Sequence, residues 1–592
     1  MLVLNQNTLR GPNYWSGHFC NLIQTRLQLN PNYVWDTSMQ EACQSFVSKH
    51  LSEPIHEANF VASEALLDQT AQLALALQNA AGAQVQYYHY QKTIHANTYN
   101  LVIAYSFEES GRLAIKKAIE YINQNGTSSL SDAVEAIKKC LIKEKPSVKM
   151  GDLIHLAQTL SIPVLAEPNP TSVQFGYGHR SKIISESDSL EEAAKLLKSG
   201  AIAGIPVLAV SGSNGKTTTT RLLAHIVEND GTAVGFTSSD GVYIKQEMIE
   251  EGDTTGPMSA QMVLGNPAVE VAVLECARGG IVRAGLGFNS CDIAIITNVQ
   301  NDHLGISDIE TLEDLARVKA VLVKALKPQG WAVLNASNPY TLQMAEDTQS
   351  NVAFFARDKN LPAMQTAIKK GIPVAYVEND WVVWQTGQLQ TKLLSLAEIP
   401  ITFGGTLFFM VENALAASLA AHLYGIATTQ IAAALKTFFP SAAQTPGRMN
   451  TYQIGEVKLL VDFAHNADGF GGIRDYLSQV QAPFKIGIIV GTGDRKEEDT
   501  RELGRISAQM FDLTLIHQVK FLRGKTAEEL VNLLVEGMQQ HNPDAKWMRI
   551  PDAEEPLAFA LALAQPETHI TALSDVLTNV KELTASLGSG QR

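Results

Sequence analysis

Cysteine, one-signed charge and long apolar runs are all scarce in this 592-residue chain. The five cysteines, Cys20, Cys43, Cys140, Cys276 and Cys291, are scattered and form no CxxC pair. That argues against a disulfide framework or a structural zinc site and for a reducing, cytoplasmic setting. No run reaches the roughly 18 consecutive apolar residues of a membrane span. The opening MLVLNQNTLRGPNYW carries no basic region and no apolar stretch of signal-peptide length, so neither a membrane nor an export signal is expected. Basic residues (46) are fewer than acidic ones (60), giving a net charge of −14, so the surface lacks the positive excess of a nucleic-acid coat. What is abundant is apolar: 45% of residues are hydrophobic and 18% charged, enough for a large core and against global disorder. Length alone suggests about four domains.

Residues 1–126 read as a small α/β domain. Helical periodicity covers 57–81, strand-like stretches cover 84–94 and 99–105, and a helix covers 110–124 before Asn125-Gly126. Residues 127–187 hold two expected helices, 131–142 and 152–160, and the turn-rich AEPNPTSVQFGYGHR. Ser189-x-x-Glu192 has the form of a capping box and opens a short helix ending at Gly200, so 188–204 is read as a linker. From 205 onward, short β-branched runs alternate with helices, at 206–210, 269–274, 292–297 and 332–334. This is the pattern of a parallel α/β domain. After Pro446-Gly447-Arg448 the alternation restarts at 458–463, 485–490, 513–517 and 569–573, which predicts a second, smaller α/β domain over 446–592.

The run at 206–210 leads into SGSNGKTTTT and a helix. Gly212 and Gly215 allow close backbone approach, Asn214 stands between them, and the loop N–H groups with the helix N-terminus face an anion. Lys216 reaches terminal phosphates, while the Thr217 hydroxyl suits Mg²⁺ and Thr218 follows it. The spacing is G-x-x-G-K-T-T, shorter than the usual G-x4-G-K-T. Glu275 closes the strand VEVAVLEC, at the carboxyl end where parallel sheets place ligands. His303 follows the next strand, in TNVQNDHLG. Singly, such a glutamate can be a solvated charge and such a histidine a satisfied polar residue; behind a phosphate loop, both become candidates for one Mg²⁺ site. Lys319 lies on the helix that begins near Thr311.

Taken in order, SGSNGKTT, Glu275, TNVQNDHLG, Lys319, ENALAA, PGR, DFAHNADG and GTGDRKEED resemble the Mur-ligase superfamily of ATP-dependent amide-forming ligases, over roughly 205–592. GDTTGPMSA, ECARGGIVRAGLG, NVQNDHLG and GTGDRKEED further resemble cyanophycin synthetases. RGPNYW and SVQFGYG resemble that family's first domain and the entrance to its ATP-grasp domain. The resemblance implies an N-terminal domain, a truncated ATP-grasp remnant (127–187), a P-loop ATPase domain (205–445) and a Rossmann-like C-terminal domain. Between Gly178 and Ile205 there are too few residues for a nucleotide-binding domain, so the match is to the family's short form, with one ATP site.

That form implies ATP and Mg²⁺ as cofactors and ADP as product. Its substrates are β-Asp-Arg dipeptide and the cyanophycin polymer, joined through an acyl phosphate. It also implies a homo-oligomer, a dimer favoured. By resemblance, Lys216, Glu275, His303, Lys319 and Arg495 are catalytic, and Thr217, Glu275 and His303 hold metal. Asn413 faces adenine, Arg448 lies across the phosphates and Asp462 accepts from ribose hydroxyls. Thr254, Thr255, Arg278, His465, Asp494 and Arg495 meet substrate. Lys319 falls where several Mur ligases carry a carbamylated lysine. The first domain is implied to hold polymer. Two alternatives stay open: another Mur-type amino-acid ligase, and a non-catalytic polymer-binding paralogue. A P-loop switch protein lacks support, because no guanine-reading motif is present.

Overall fold

The computed structural model of the chain describes residues 1–16, 21–31, 33, 35–56, 65–167, 169, 171–302, 304–306, 308–493, 495–518 and 522–573. The chain divides into two compact units. The first contains residues 1–207, 242–272 and 276–291; the second contains 208–241, 273–275 and the chain from 292.

In the first unit, a five-stranded sheet has the order Leu2–Leu9, Leu22–Gln28, Thr98–Ala104, Tyr87–Lys92 and Ile55–His56. Its pairs are antiparallel except the last, where Ile55 lies parallel to Tyr87. The strands expected at 84–94 and 99–105 are present, and every residue of Thr98–Ala104 is buried. The helix expected over 57–81 is Ala65–Ala80; residues 57–64 lie outside the described ones. Two strands and the helix Thr37–His50 had no clear sequence signal. The first, LVLNQNTL, is an edge strand with four exposed residues, so its apolar residues do not alternate as a half-buried strand requires.

The boundary at 126 does not separate two cores. Helix Leu130–Glu144 sends Ala133 and Ile137 into the core of the N-terminal sheet. The Glu144 carboxylate accepts from the N–H groups of Glu109 and Ser110, both at 2.7 Å, at the start of helix Glu108–Asn123. A carboxylate there satisfies free N–H groups and opposes the helix dipole.

A smaller core follows, built from helix Val148–Thr159 and a three-stranded antiparallel sheet, Val164–Ala166, Ser172–Phe175 and Lys182–Ser185. The segment expected as a linker belongs to this core. Helix Leu190–Ser199 is capped by Ser189, ends at left-handed Gly200, and buries Ala193 and Leu197 beside Met150, Leu153 and Phe175. Spacing of i and i+4 puts those two residues on one helix face.

The large sheet has eleven strands; from Val234–Ser238 onward its order is Val271–Glu275, Val207–Ser211, Cys291–Ile296, Leu326–Asn335, Asn351–Phe355, Val374–Glu378, Trp381–Thr386 and Leu389–Ser395. Pairing is parallel where Ile293 meets Leu208 and where Trp331 meets Asn351, and antiparallel in the last three strands. A second sheet has the order Asn450–Ile454, Val457–Asp462, His569–Leu573, Lys485–Ile489, Leu513–Ile516 and Trp547–Arg549, parallel after its first pair. The restart of alternation after 446 is thus a separate sheet with its own core of Leu459, Val461, Ile486, Ile488, Leu515 and Ile570.

Candidate active site

Strand Val207–Ser211 delivers the chain into the glycine loop, and helix Lys216–Asn229 leaves it. Gly215 is the N-cap, at φ 82, and a Cβ there would overlap the Asn413 Oδ1 atom. A Cβ on Gly212 would overlap the Thr297 hydroxyl. Both positions therefore require glycine, for left-handed backbone at one and for close approach at both. The loop is tied to the neighbouring strand end. Thr297 Oγ1 donates to Asn214 O at 2.5 Å, and the Asn214 N–H donates to Asn298 Oδ1 at 2.9 Å. The Gln300 N–H donates to Ser213 Oγ at 3.0 Å. Lys216 folds back, its Nζ donating to Ser213 O at 2.8 Å.

Three oxygen side chains meet one residue further on. Thr217 Oγ1 lies 3.2 Å from Glu275 Oε1 and 3.1 Å from Ser239 Oγ. Glu275 is 3% exposed, and its N–H donates to Thr237 Oγ1 at 2.9 Å. A buried carboxylate and two hydroxyls are hard oxygen donors, the kind Mg²⁺ takes when phosphates and waters complete its shell. The arrangement fits that ion through Thr217 and Glu275. Among the described residues no group of three or more His, Cys, Asp and Glu side chains could hold a metal. His303 lies outside the described residues, as does Asp494.

Lys319, on helix Leu312–Lys324, is 2% exposed. Lysine is almost never fully buried without a partner, so this position is built rather than incidental. Thr218 is buried in the phosphate helix. Asn413, expected at adenine, sits with its carbonyl oxygen against Gly215 and its amide donating to Met410 Sδ at 3.7 Å.

The C-terminal domain contributes a charged group. The Arg448 guanidinium lies 4.5 Å from the Phe463 ring centroid. The Asp462 carboxylate accepts from the N–H groups of Met449 at 2.9 Å and Ala464 at 2.7 Å. Burial pushes the Asp462 carboxyl above its ordinary value, against the pull of Arg448 and those two amides. Arg495, 5% exposed, donates through one terminal nitrogen to Asp302 Oδ1 at 3.0 Å. His465 Nε2 is 3.8 Å from the same oxygen, and its Nδ1 is 2.8 Å from Phe463 O. Burial first, then the Asp302 charge, raises the Asp468 carboxyl.

The other expected substrate residues belong to the first unit. Thr254 and Thr255 are buried, and Thr255 Oγ1 donates to Asp253 Oδ1 at 2.7 Å. Arg278 opens the short helix Arg278–Ala284. In the same unit the Arg10 N–H donates to Ala284 O at 3.2 Å, so RGPNYW packs on the ARGGIVRAG stretch.

Three polar residues at this site are not singled out by sequence reasoning. Ser239 follows the strand Val234–Ser238, and Asp302 sits beside His303 in TNVQNDHLG. Asn335 ends its strand and donates to Thr297 O at 2.9 Å and to Glu412 Oε2 at 3.3 Å. Ser239 and Asn335 lie at or just past strand ends, and that position is the available signal.

Residues 210–421 match the Mur ligase middle domain, and residues 447–575 match the Mur ligase, glutamate ligase domain. The chain belongs to the Mur ligase family. The cyanophycin synthetase of Synechocystis sp. is 44% identical over 372 residues, 63% of this chain and 42% of that protein. The cyanophycin synthetase of Nostoc sp. is 40% identical over 379 residues, 64% of this chain and 42% of its own length. The match thus spans less than half the length of these cyanophycin synthetases. E. coli FolC in complex with DHPP and ADP aligns with TM-score 0.48 and 17% identity, over 64% of this chain and 89% of that one. Among the described residues no helix is long and apolar enough to cross a membrane.

Proposed function

We propose that this chain is an ADP-forming, ATP-dependent carbon–nitrogen ligase that polymerises β-aspartyl-arginine dipeptides into cyanophycin, the activity of a cyanophycin synthetase 2. The observation that carries the ligase reading is the buried Thr217–Glu275 pair directly behind Lys216 in a glycine-gated phosphate loop. The substrate reading rests on similarity to cyanophycin synthetases together with the short segment between Gly178 and Ile205, which leaves room for one ATP site only.

In this reading Lys216 swings from Ser213 O to the terminal phosphates and neutralises charge as a carboxylate approaches them. Mg²⁺, when bound, supplies further charge neutralisation at the phosphates; Thr217, Glu275 and His303 are the residues to hold it. The polymer's C-terminal carboxylate attacks the γ-phosphorus, releasing ADP and forming an acyl phosphate. The α-amine of the incoming dipeptide attacks that carbonyl, and phosphate leaves. Arg448 and Asp462 bind nucleotide, and Arg495, His465 and Asp494 orient substrate from the C-terminal domain. Thr254, Thr255 and Arg278 contact the growing chain. A carbamylated Lys319 would present a carboxylate in place of a cation. The working form is a homo-oligomer, a dimer, in the cytoplasm.

The test is polymer formation by the purified chain with ATP and Mg²⁺, given either β-Asp-Arg or free aspartate plus arginine with a cyanophycin primer. Polymer from the dipeptide alone is expected. Polymer from the free amino acids would overturn the single-site reading. ATP turnover with other amino acids and no polymer would move the chain to another Mur-type activity.

A further inference from the structure

The phosphate loop is tied to the C-terminal domain by a reciprocal amide pair. Asn466 Nδ2 donates to Asn214 Oδ1 at 3.0 Å, and Asn214 Nδ2 donates back to Asn466 Oδ1 at 3.4 Å. Asn214 Nδ2 also donates to Gln300 Oε1 at 2.9 Å. The two asparagines are 252 residues apart in sequence. Asn466 is 2% exposed. Its Oδ1 also acts locally, accepting the Gly469 N–H at 2.9 Å as the N-cap of helix Ala467–Leu477.

A carboxamide offers donors and an acceptor in one plane, so two facing amides close a ring of two hydrogen bonds. A serine or aspartate would cap the helix as well as asparagine does. Neither would donate an amide N–H to Asn214. The choice of asparagine at 466 is therefore explained by the partner across the domain boundary and not by the helix. The placement gives the pair its consequence. Asp462, Phe463 and His465 precede Asn466 on the same segment, and Met449, next to Arg448, is bonded to Asp462. A bond from Asn466 to the phosphate loop fixes where all of them sit relative to the nucleotide.

We infer that Asn466 is a positioning residue: its amide pair with Asn214 latches the C-terminal domain onto the phosphate loop and sets the register of Arg448, Asp462 and His465. This rests on the ATP-dependent ligase reading. Neither asparagine needs to touch the reacting atoms for the latch to matter, because misplacement of catalytic groups by about 1 Å costs on the order of 100-fold in rate.

The test uses the full chain with Asn466→Ser, which keeps the capping oxygen and deletes the amide donor. A second variant, Asn466→Asp, keeps the cap and the side-chain length. Three quantities are read: thermal midpoint, affinity for a fluorescent ADP analogue, and kcat and KM for ATP with the dipeptide substrate. The expected result is a midpoint close to wild type and a kcat lower by about tenfold or more, with ADP-analogue affinity weakened severalfold through Arg448 and Asp462 but still measurable, because Lys216 and the glycine loop are intact. Wild-type kcat in a folded Asn466→Ser or Asn466→Asp protein overturns the latch. So does a loss confined to the thermal midpoint, which would reduce Asn466 to a helix cap. A wild-type chain that fails to bind the ADP analogue fails the ligase reading itself, and that outcome is seen before any variant is made.

Discussion

The phosphate loop and the C-terminal charge cluster are held by different forces. Apart from the Lys216 ammonium on Ser213 O, the loop is fixed by neutral groups: hydroxyls, amides and backbone carbonyls of Thr297, Asn298, Gln300, Asn214 and Ser213. The C-terminal side is fixed largely by ionisable groups: Arg495 on Asp302, Asp462 beside Arg448, and a raised Asp468. Neutral hydrogen bonds are insensitive to pH and weakly sensitive to salt. Buried charges hold only while each keeps its partner and its protonation state.

Removing the charged centre of the phosphate wall gives the largest effect. Lys216→Ala and Glu275→Ala should each abolish ATP-dependent polymer formation, a loss of about a thousandfold or more. Near-normal turnover in either purified variant would dismiss the site. Next comes the ion pair of the opposite wall. Asp302→Ala leaves the buried Arg495 without that carboxylate and should lower unfolding free energy by about 3 kcal/mol, read by urea denaturation; Ser239→Ala, on the neutral wall, should change it far less.

A comparable effect should appear with pH in the C-terminal sheet. Burial foremost, then the nearby Lys485 and Lys458 charges, depress His569 to about 4 from its ordinary 6.5. Between those values the unfolded chain binds the proton and the folded one does not. Stability is therefore complete above about pH 6.5 and declines as pH falls toward 4, by roughly 3 kcal/mol in all. His569→Gln should flatten that part of the profile. An unchanged slope would show that other groups govern it. The smallest expected effect tests the neutral wall by sterics: Gly215→Ala forces a Cβ toward Asn413 at φ 82 and should cost about 1–3 kcal/mol, with loss of ADP-analogue binding as the sharper readout.

The two walls also differ in how they can be read from sequence. The phosphate wall is local: SGSNGKTT carries strand end, glycines, lysine and hydroxyl within eight residues, and the flanking apolar runs show the strand and helix. Glu275 was legible from its place at a strand end. The groups that complete the site were not. Ser239 and Asn335 reach it from other strands of the large sheet, whose central neighbours are far apart in sequence. Asp302 gains meaning from Arg495, 193 residues away. The first strand was missed for another reason: an exposed edge strand has no buried face to impose alternation. The helix at 190–199 was visible as a helix, but its role was not, because Ala193 and Leu197 acquire a core only when Phe175 and Met150 lie opposite.

Sequence alone determined the alternation of strands and helices after residue 205, the glycines of the phosphate loop and the order of motifs that marks the Mur ligase family. These are short-range properties, encoded by spacing, β-branching and glycine. The tertiary structure decided that helix Leu130–Glu144 belongs to the N-terminal core, that Thr217, Ser239 and Glu275 converge, and that Asn214 meets Asn466. Those are contacts between strand ends and between domains, and their partners are chosen by sheet order and packing, which no local window of residues contains.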